Sequence, residues 1–128
     1  MRRVVMDASA VIALLRGEPG GEIVQRALGG AVISAVNLQE VYCKLLEDNV
    51  PTDVARDMVE GLRLEVRAHD AAAALDSAFL APLTRKAGSG LGDRSCMALA
   101  IEERAPALTA DRSWTKVAAP GLQVELIR

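Results

Sequence analysis

Short apolar runs alternate along the chain with longer stretches in which apolar residues recur every three or four positions. Residues 3–6 form the first run, a buried strand that ends at Asp7. Residues 8–16 are apolar at helical spacing until Gly17 and Pro19-Gly20 stop them, and a second short helix is expected over 21–28. Residues 31–33 read as a strand, with Ser34 as the N-cap of a long helix reaching about residue 49. Pro51-Thr52-Asp53 opens a helix to about residue 60, and 64–66 reads as a strand. Asp70 caps a helix predicted over 71–86, followed by a glycine-rich loop at 88–92 and a helix from 93 to about 103. Residues 106–109 make a strand, Asp111 begins a short helix through 117, and Pro120-Gly121 turns the chain into a last strand at 123–126.

Strands and helices in strict alternation indicate βαβ units. The expected fold is α/β, a three-layer α/β/α sandwich around a mostly parallel sheet. Ligands in such sheets bind outside the carboxyl ends of the strands, so residues just after each strand are the first candidates for function.

Composition adds limits. With 128 residues, 51% of them apolar, the chain reads as one globular domain, residues 1–128. Its only aromatics are Tyr42, Phe79 and Trp114, so the core is aliphatic and a base-stacking platform is disfavoured. A net charge of −2 argues against adhesion to nucleic acid through a basic surface. If the protein handles RNA, metal ions must supply positive potential at the phosphate. Cys43 and Cys96 lie in helical sequence without a CxxC motif and are expected to be buried, reduced thiols of a cytoplasmic protein. Asp7 interrupts the first apolar run too early for a signal peptide, and no run is long enough for a membrane span.

Three acids occupy the favoured positions. Asp7 follows the first strand, Asp111 follows the strand at 106–109, and Asp93 follows the glycine loop; Glu40 lies about two turns into the helix begun at Ser34. Converging carboxylates suit a hard divalent cation, and phosphodiester cleavage suits such a site. One ion can ionise a water and a second, about 3.5–4 Å away, can offset charge on the leaving oxygen. Each acid also has a plain structural use. The aspartates are good N-caps, and Glu40 shares a polar stripe with Asn37, Lys44 and Glu47, where it can pair with Lys44. His69, the single histidine, falls in a turn and is expected at the surface; a paired-histidine mechanism is excluded by count. Trp114 and Cys96 read as packing residues. The glycine loop follows a helix and lacks a GxGxxG pattern, so it reads as a flexible segment beside Asp93.

Four sequence blocks settle which combination matters: VVMDASAVIALL around Asp7, ISAVNLQEVYCKL around Glu40, SGLGDRSCMALAIE around Asp93 and LTADRSWTKV around Asp111. Spread over nearly the whole chain, they resemble the PIN-domain family, specifically the VapC-type toxins of bacterial toxin–antitoxin pairs. The resemblance implies a Mg²⁺- or Mn²⁺-dependent endoribonuclease that cleaves RNA by metal-activated water, forms a homodimer and is inhibited by a VapB-type antitoxin. It maps the metal-holding catalytic acids onto Asp7, Glu40, Asp93 and Asp111. Ser9 and Thr109 match hydroxyl positions beside those acids and are assigned to supporting hydrogen bonds. Arg94 and Arg112, each directly after an acid, are candidates for RNA phosphate contacts. Two other readings stand beside this one: a phosphatase with Asp7 as nucleophile, weakened because Ser9 stands where a second aspartate belongs, and a non-catalytic interaction module that keeps the fold.

Overall fold

Val4, Val5 and Met6 are all fully buried, with Val4 and Met6 on one face of the strand and Val5 on the other. A strand covered on both faces belongs in the middle of a layered sheet. The computed structural model describes residues 2–128. It has five strands: β1 (Val4–Met6), β2 (Ala31–Ser34), β3 (Glu65–Arg67), β4 (Ala107–Thr109) and β5 (Val124–Leu126). All pair in parallel, in the order β3-β2-β1-β4-β5. The chain winds outward from β1 to β3, then returns to lay β4 on the other side of β1. The strand order therefore reverses between β1 and β4, and a crevice opens there at the carboxyl ends.

One face is covered by α1 (Ala8–Arg16), α2 (Gly21–Ala27), α3 (Ala35–Glu47) and α4 (Thr52–Glu60), which pack Val11, Val24, Val41, Leu45 and Val59 against Met6, Ile33 and Leu108. The other is covered by α5 (Ala71–Phe79), α6 (Ala81–Thr84) and α7 (Leu91–Glu103), with Cys96, Met97, Ala100 and the fully buried Trp114 against Val5, Val32 and Ala107. This is the expected α/β/α sandwich. The edge strand β3 carries Glu65 and Arg67, which pair with each other and with Arg3 and Glu103, so charge protects the open edge. Among the described residues no helix is long and apolar enough to cross a membrane.

Four expectations need correction. The helix predicted over 71–86 is broken after Phe79, because Pro82 sits in the first turn of α6 and cannot continue the ladder from α5. The last long helix starts at Leu91 rather than Asp93, so Gly92 and Asp93 are in its first turn. Cys43 is exposed, on the outer side of α3, while Cys96 is buried as expected. Finally, His69 is half-buried, with its Nδ1 3.1 Å from the Ser95 hydroxyl.

Candidate active site

Asp7 ends β1 at the N-cap position of α1, yet its side chain makes no capping bond. Its Oδ2 instead accepts hydrogen bonds from Ser9 Oγ (2.6 Å) and Thr109 Oγ1 (2.8 Å). Those hydroxyls are fixed in turn: Ser9 Oγ accepts the Ala110 N–H and Thr109 Oγ1 accepts the Asp111 N–H. The ends of β1 and β4 are thus laced together around one carboxylate. The hydroxyl positions expected to support the acids, Ser9 and Thr109, are the two that touch Asp7.

The other three acids reach the same cleft from different elements. Glu40 is on the second turn of α3, where its Oε1 accepts 2.8 Å from Asn37 Nδ2. Asp93 lies in the first turn of α7, its Oδ2 accepting the Gly90 N–H at 2.9 Å. Asp111 caps a 3-10 turn (Arg112–Lys116) through Oδ1, which accepts from the N–H and the hydroxyl of Ser113. Asp7, Glu40, Asp93 and Asp111 line one open cleft of about 370 Å³ at the carboxyl ends of β1 and β4. A pattern runs through the set. In each carboxylate one oxygen is held by protein donors, and the other accepts no hydrogen bond among the described residues.

The electrostatics are those of crowded anions. Burial pushes the Asp7 pKa up to about 6 against the pull of Ser9 and Thr109, with Asp93 and Glu40 adding repulsion. Asp93 is also raised, first by burial and then by Asp111, while the Gly90 N–H and Arg94 work in the opposite direction. Behind the cleft, burial holds the Cys96 thiol well above its ordinary range, reinforced by Asp7, Asp93 and Glu40. Among the described residues no three His, Cys, Asp or Glu side chains are drawn together tightly enough to hold one ion as they stand.

Two residues of the site carry less obvious sequence signals. Asn37 is fully buried and bridges Glu40 to the Gly92 carbonyl, which ties α3 to the start of α7. Its Oδ1 has no hydrogen-bond partner among the described residues. The signal was the i, i+3 spacing from Glu40, which the polar stripe absorbed. Gly92 lies against the Glu40 carboxylate, and a Cβ there would fall 2.5 Å from Glu40 Cδ. The alternative use of Glu40, an ion pair with Lys44, does not form; Lys44 lies 3.8 Å from Glu47 instead. Arg94 and Arg112 do not line the cleft. Arg94 donates to the Ser89 carbonyl at 2.7 Å, bracing the glycine loop, and Arg112 donates to the Arg128 carbonyl at 3.0 Å. The cations at the cleft are Arg16, Lys44 and Arg128.

The model of the PIN domain family matches residues 4–120. The chain belongs to the PIN-domain family. No curated protein matches it. In fold it is similar to DNA-bound VapBC from Salmonella typhimurium, with a TM-score of 0.75, 20% identity and 100% of both chains covered. It is also similar to VapBC2 from Rickettsia felis bound to a DNA fragment from their promoter, with a TM-score of 0.73, 16% identity and coverage of 96% of this chain and 97% of that one. VapBC-1 from nontypeable Haemophilus influenzae gives a TM-score of 0.67 at 19% identity, with 97% of each chain covered.

Proposed function

We propose that this PIN-domain chain is a Mg²⁺- or Mn²⁺-dependent endoribonuclease, the toxin of a VapBC-type toxin–antitoxin pair, in which Asp7, Glu40, Asp93 and Asp111 hold the ions. The observation that carries the reading is the shared state of the four acids: each has one oxygen tethered by the protein and the other without a protein hydrogen bond, around one cleft. A set made only of carboxylate oxygens fits hard cations and not thiolate-seeking ones. Burial first, and neighbouring acids second, raise Asp7 and Asp93, and a bound cation would favour their ionised forms against both. A cation held in this cleft would offset the repulsion among the four acids.

Bound divalent ions supply two things here, a lowered pKa for water and neutralisation of charge on the phosphate. The chain's own residues do the positioning. Ser9 and Thr109 fix the Asp7 carboxylate, Asn37 fixes Glu40, the Gly90 N–H fixes Asp93, and Ser113 fixes Asp111. No serine, cysteine or histidine nucleophile is required, and the family resemblance implies 5′-phosphate and 3′-hydroxyl product ends. The VapBC complexes of similar fold support a VapB-type antitoxin as partner. A single nuclease domain over residues 1–128, a homodimer and a cytoplasmic setting complete the proposal.

Calorimetric titration with Mn²⁺ and RNA cleavage, run on the wild type and on Asp93→Asn, test it together. The wild type takes up Mn²⁺ and cuts RNA, while the variant keeps its circular dichroism spectrum and loses cleavage. A variant that cuts at the wild-type rate, or a wild type that takes up no Mn²⁺, overturns the assignment.

A further inference from the structure

A second hollow of about 390 Å³ adjoins the carboxylate cleft. Its walls include Val36, Gln39, Cys43, Leu91 and the carboxylate of Glu47, and it shares Glu40 and Lys44 with the cleft. Those two side chains lie one turn apart on α3, so they form the sill between the hollows. Three features of the surroundings need a reason. Leu91, at 80% exposure, is the most exposed large apolar residue among those described, yet it stands at the start of the helix that carries Asp93. Gln39 holds an exposed amide, a donor and an acceptor together, and makes no side-chain hydrogen bond among the described residues. Lys44 meets Glu47 only at 3.8 Å, whereas the cleft's Arg16 is bound closely by Asp48. The ammonium on the sill is therefore the least committed of these two cations.

We propose that this hollow is the subsite for one unpaired nucleobase of the RNA strand, the base next to the phosphate in the cleft, with Lys44 gripping the backbone between them. The proposal rests on the nuclease reading and names what that cleft selects. Its chemistry is that of a nucleotide. Apolar walls from Val36 and Leu91 take the base faces, the Gln39 amide meets the base edge, and the lysine takes the phosphate. At about 390 Å³ the space lies at the small end of ligand pockets, suited to one base and not to a folded element. A base without neighbours can enter the hollow, and one inside a duplex cannot.

Cys43 supplies the test, because its thiol is exposed in this hollow while Cys96 is buried. Iodoacetamide labelling of Cys43 is followed by mass spectrometry, with Ca²⁺ replacing Mg²⁺. The additions are a short random-sequence single-stranded RNA, or an abasic strand with the same phosphates. The RNA slows labelling by about tenfold, equivalent to ~1.4 kcal/mol, and the abasic strand does not. Equal protection by the abasic strand, or none by RNA, overturns the base subsite. Protection that rises with protein concentration alone assigns the hollow to a second copy and also overturns it. A second arm separates this claim from the nuclease reading. Gln39→Ala and Leu91→Ser still take up Mn²⁺ and change which base flanks the cut in a random RNA pool. An unchanged preference removes the subsite and leaves the nuclease standing. A wild type that cuts nothing removes the nuclease, and the Cys43 labelling still decides whether a base binds.

Discussion

Asp7 is where folding and the proposed function make opposite demands on one side chain. The folded protein favours its neutral form, since burial raises its pKa from 3.8 to about 6. Ion binding needs the anion. Without metal, the favourable contribution is fully present below about pH 4 and is lost as pH rises through about 6, on the order of 2–3 kcal/mol for a shift of this size. Asp7→Asn keeps an oxygen for Ser9 and Thr109 to bond and removes the charge. In EDTA at pH 8 the variant is expected to be more stable than wild type by about 2 kcal/mol, with the gap closing near pH 4. Urea unfolding at the two pH values checks this, and a variant less stable at pH 8 contradicts it. Gly92 sets a second residue-scale constraint. A methyl there would displace the Glu40 carboxylate, the end of a flexible side chain, so the helix can absorb it. Gly92→Ala should hold stability within about 1 kcal/mol, since alanine favours helix. RNA cleavage should fall by about 10–100-fold, because a misplaced ligand costs rate more than stability. Paired unfolding and cleavage measurements would expose the error if both fell together.

Among the elements, α3 and α7 do the most to build the site, and both meet at a buried hydroxyl pair. Ser34 ends β2, caps α3 by accepting the Val36 N–H, and lies 2.6 Å from Ser95 Oγ on α7. Ser34→Ala removes the cap and the contact, and should cost about 1–2 kcal/mol in urea unfolding. Neither hydroxyl touches a carboxylate, so Mn²⁺ uptake should persist; unchanged stability would show that the pair carries no weight. Ser34 was legible in the sequence because a cap before an apolar-periodic run is a local signal. So were the strands around Asp7 and Asp111, whose apolar runs and positions need only neighbours along the chain. The break at Leu80 was harder to read: the alanine-rich periodicity continues past Pro82, and proline is tolerated in a first turn, so the residue both permits a helix start and forbids continuation. The exposure of Cys43 and the Asn37 bridge depend on which side of α3 faces the start of α7. That is a tertiary fact, and a helical stripe shared by Asn37, Glu40 and Lys44 does not reveal it. For the same reason, adjacency to an acid pointed to Arg94 and Arg112, whereas folding brings Arg16, Lys44 and Arg128 to the cleft from three separate segments.

At the scale of the molecule, four acids sit at one end of a sheet in a chain of net charge −2. On the proposed reading, protons and divalent ions compete for that end. Asp7 and Asp93 both have raised pKa values, so the metal-free protein binds protons more tightly folded than unfolded, and its stability falls as pH climbs through the Asp7 value of about 6. An ion that binds only the folded state works in reverse. At a hundred times its dissociation constant it adds about 2.7 kcal/mol, roughly 10 °C in Tm for a domain of this size. It does so only where the carboxylates are ionised. The two effects predict curves that meet at low pH and diverge as pH rises. In EDTA, Tm declines between about pH 4 and pH 7; in saturating Mn²⁺ ion binding offsets that decline and Tm stays nearly level, so the difference opens near pH 6. Differential scanning calorimetry across that range reads both curves directly. A Mn²⁺ effect of the same size at pH 4.5 and pH 8 would mean that the ion binds somewhere other than this cleft, because only a site built from these acids must first displace their protons.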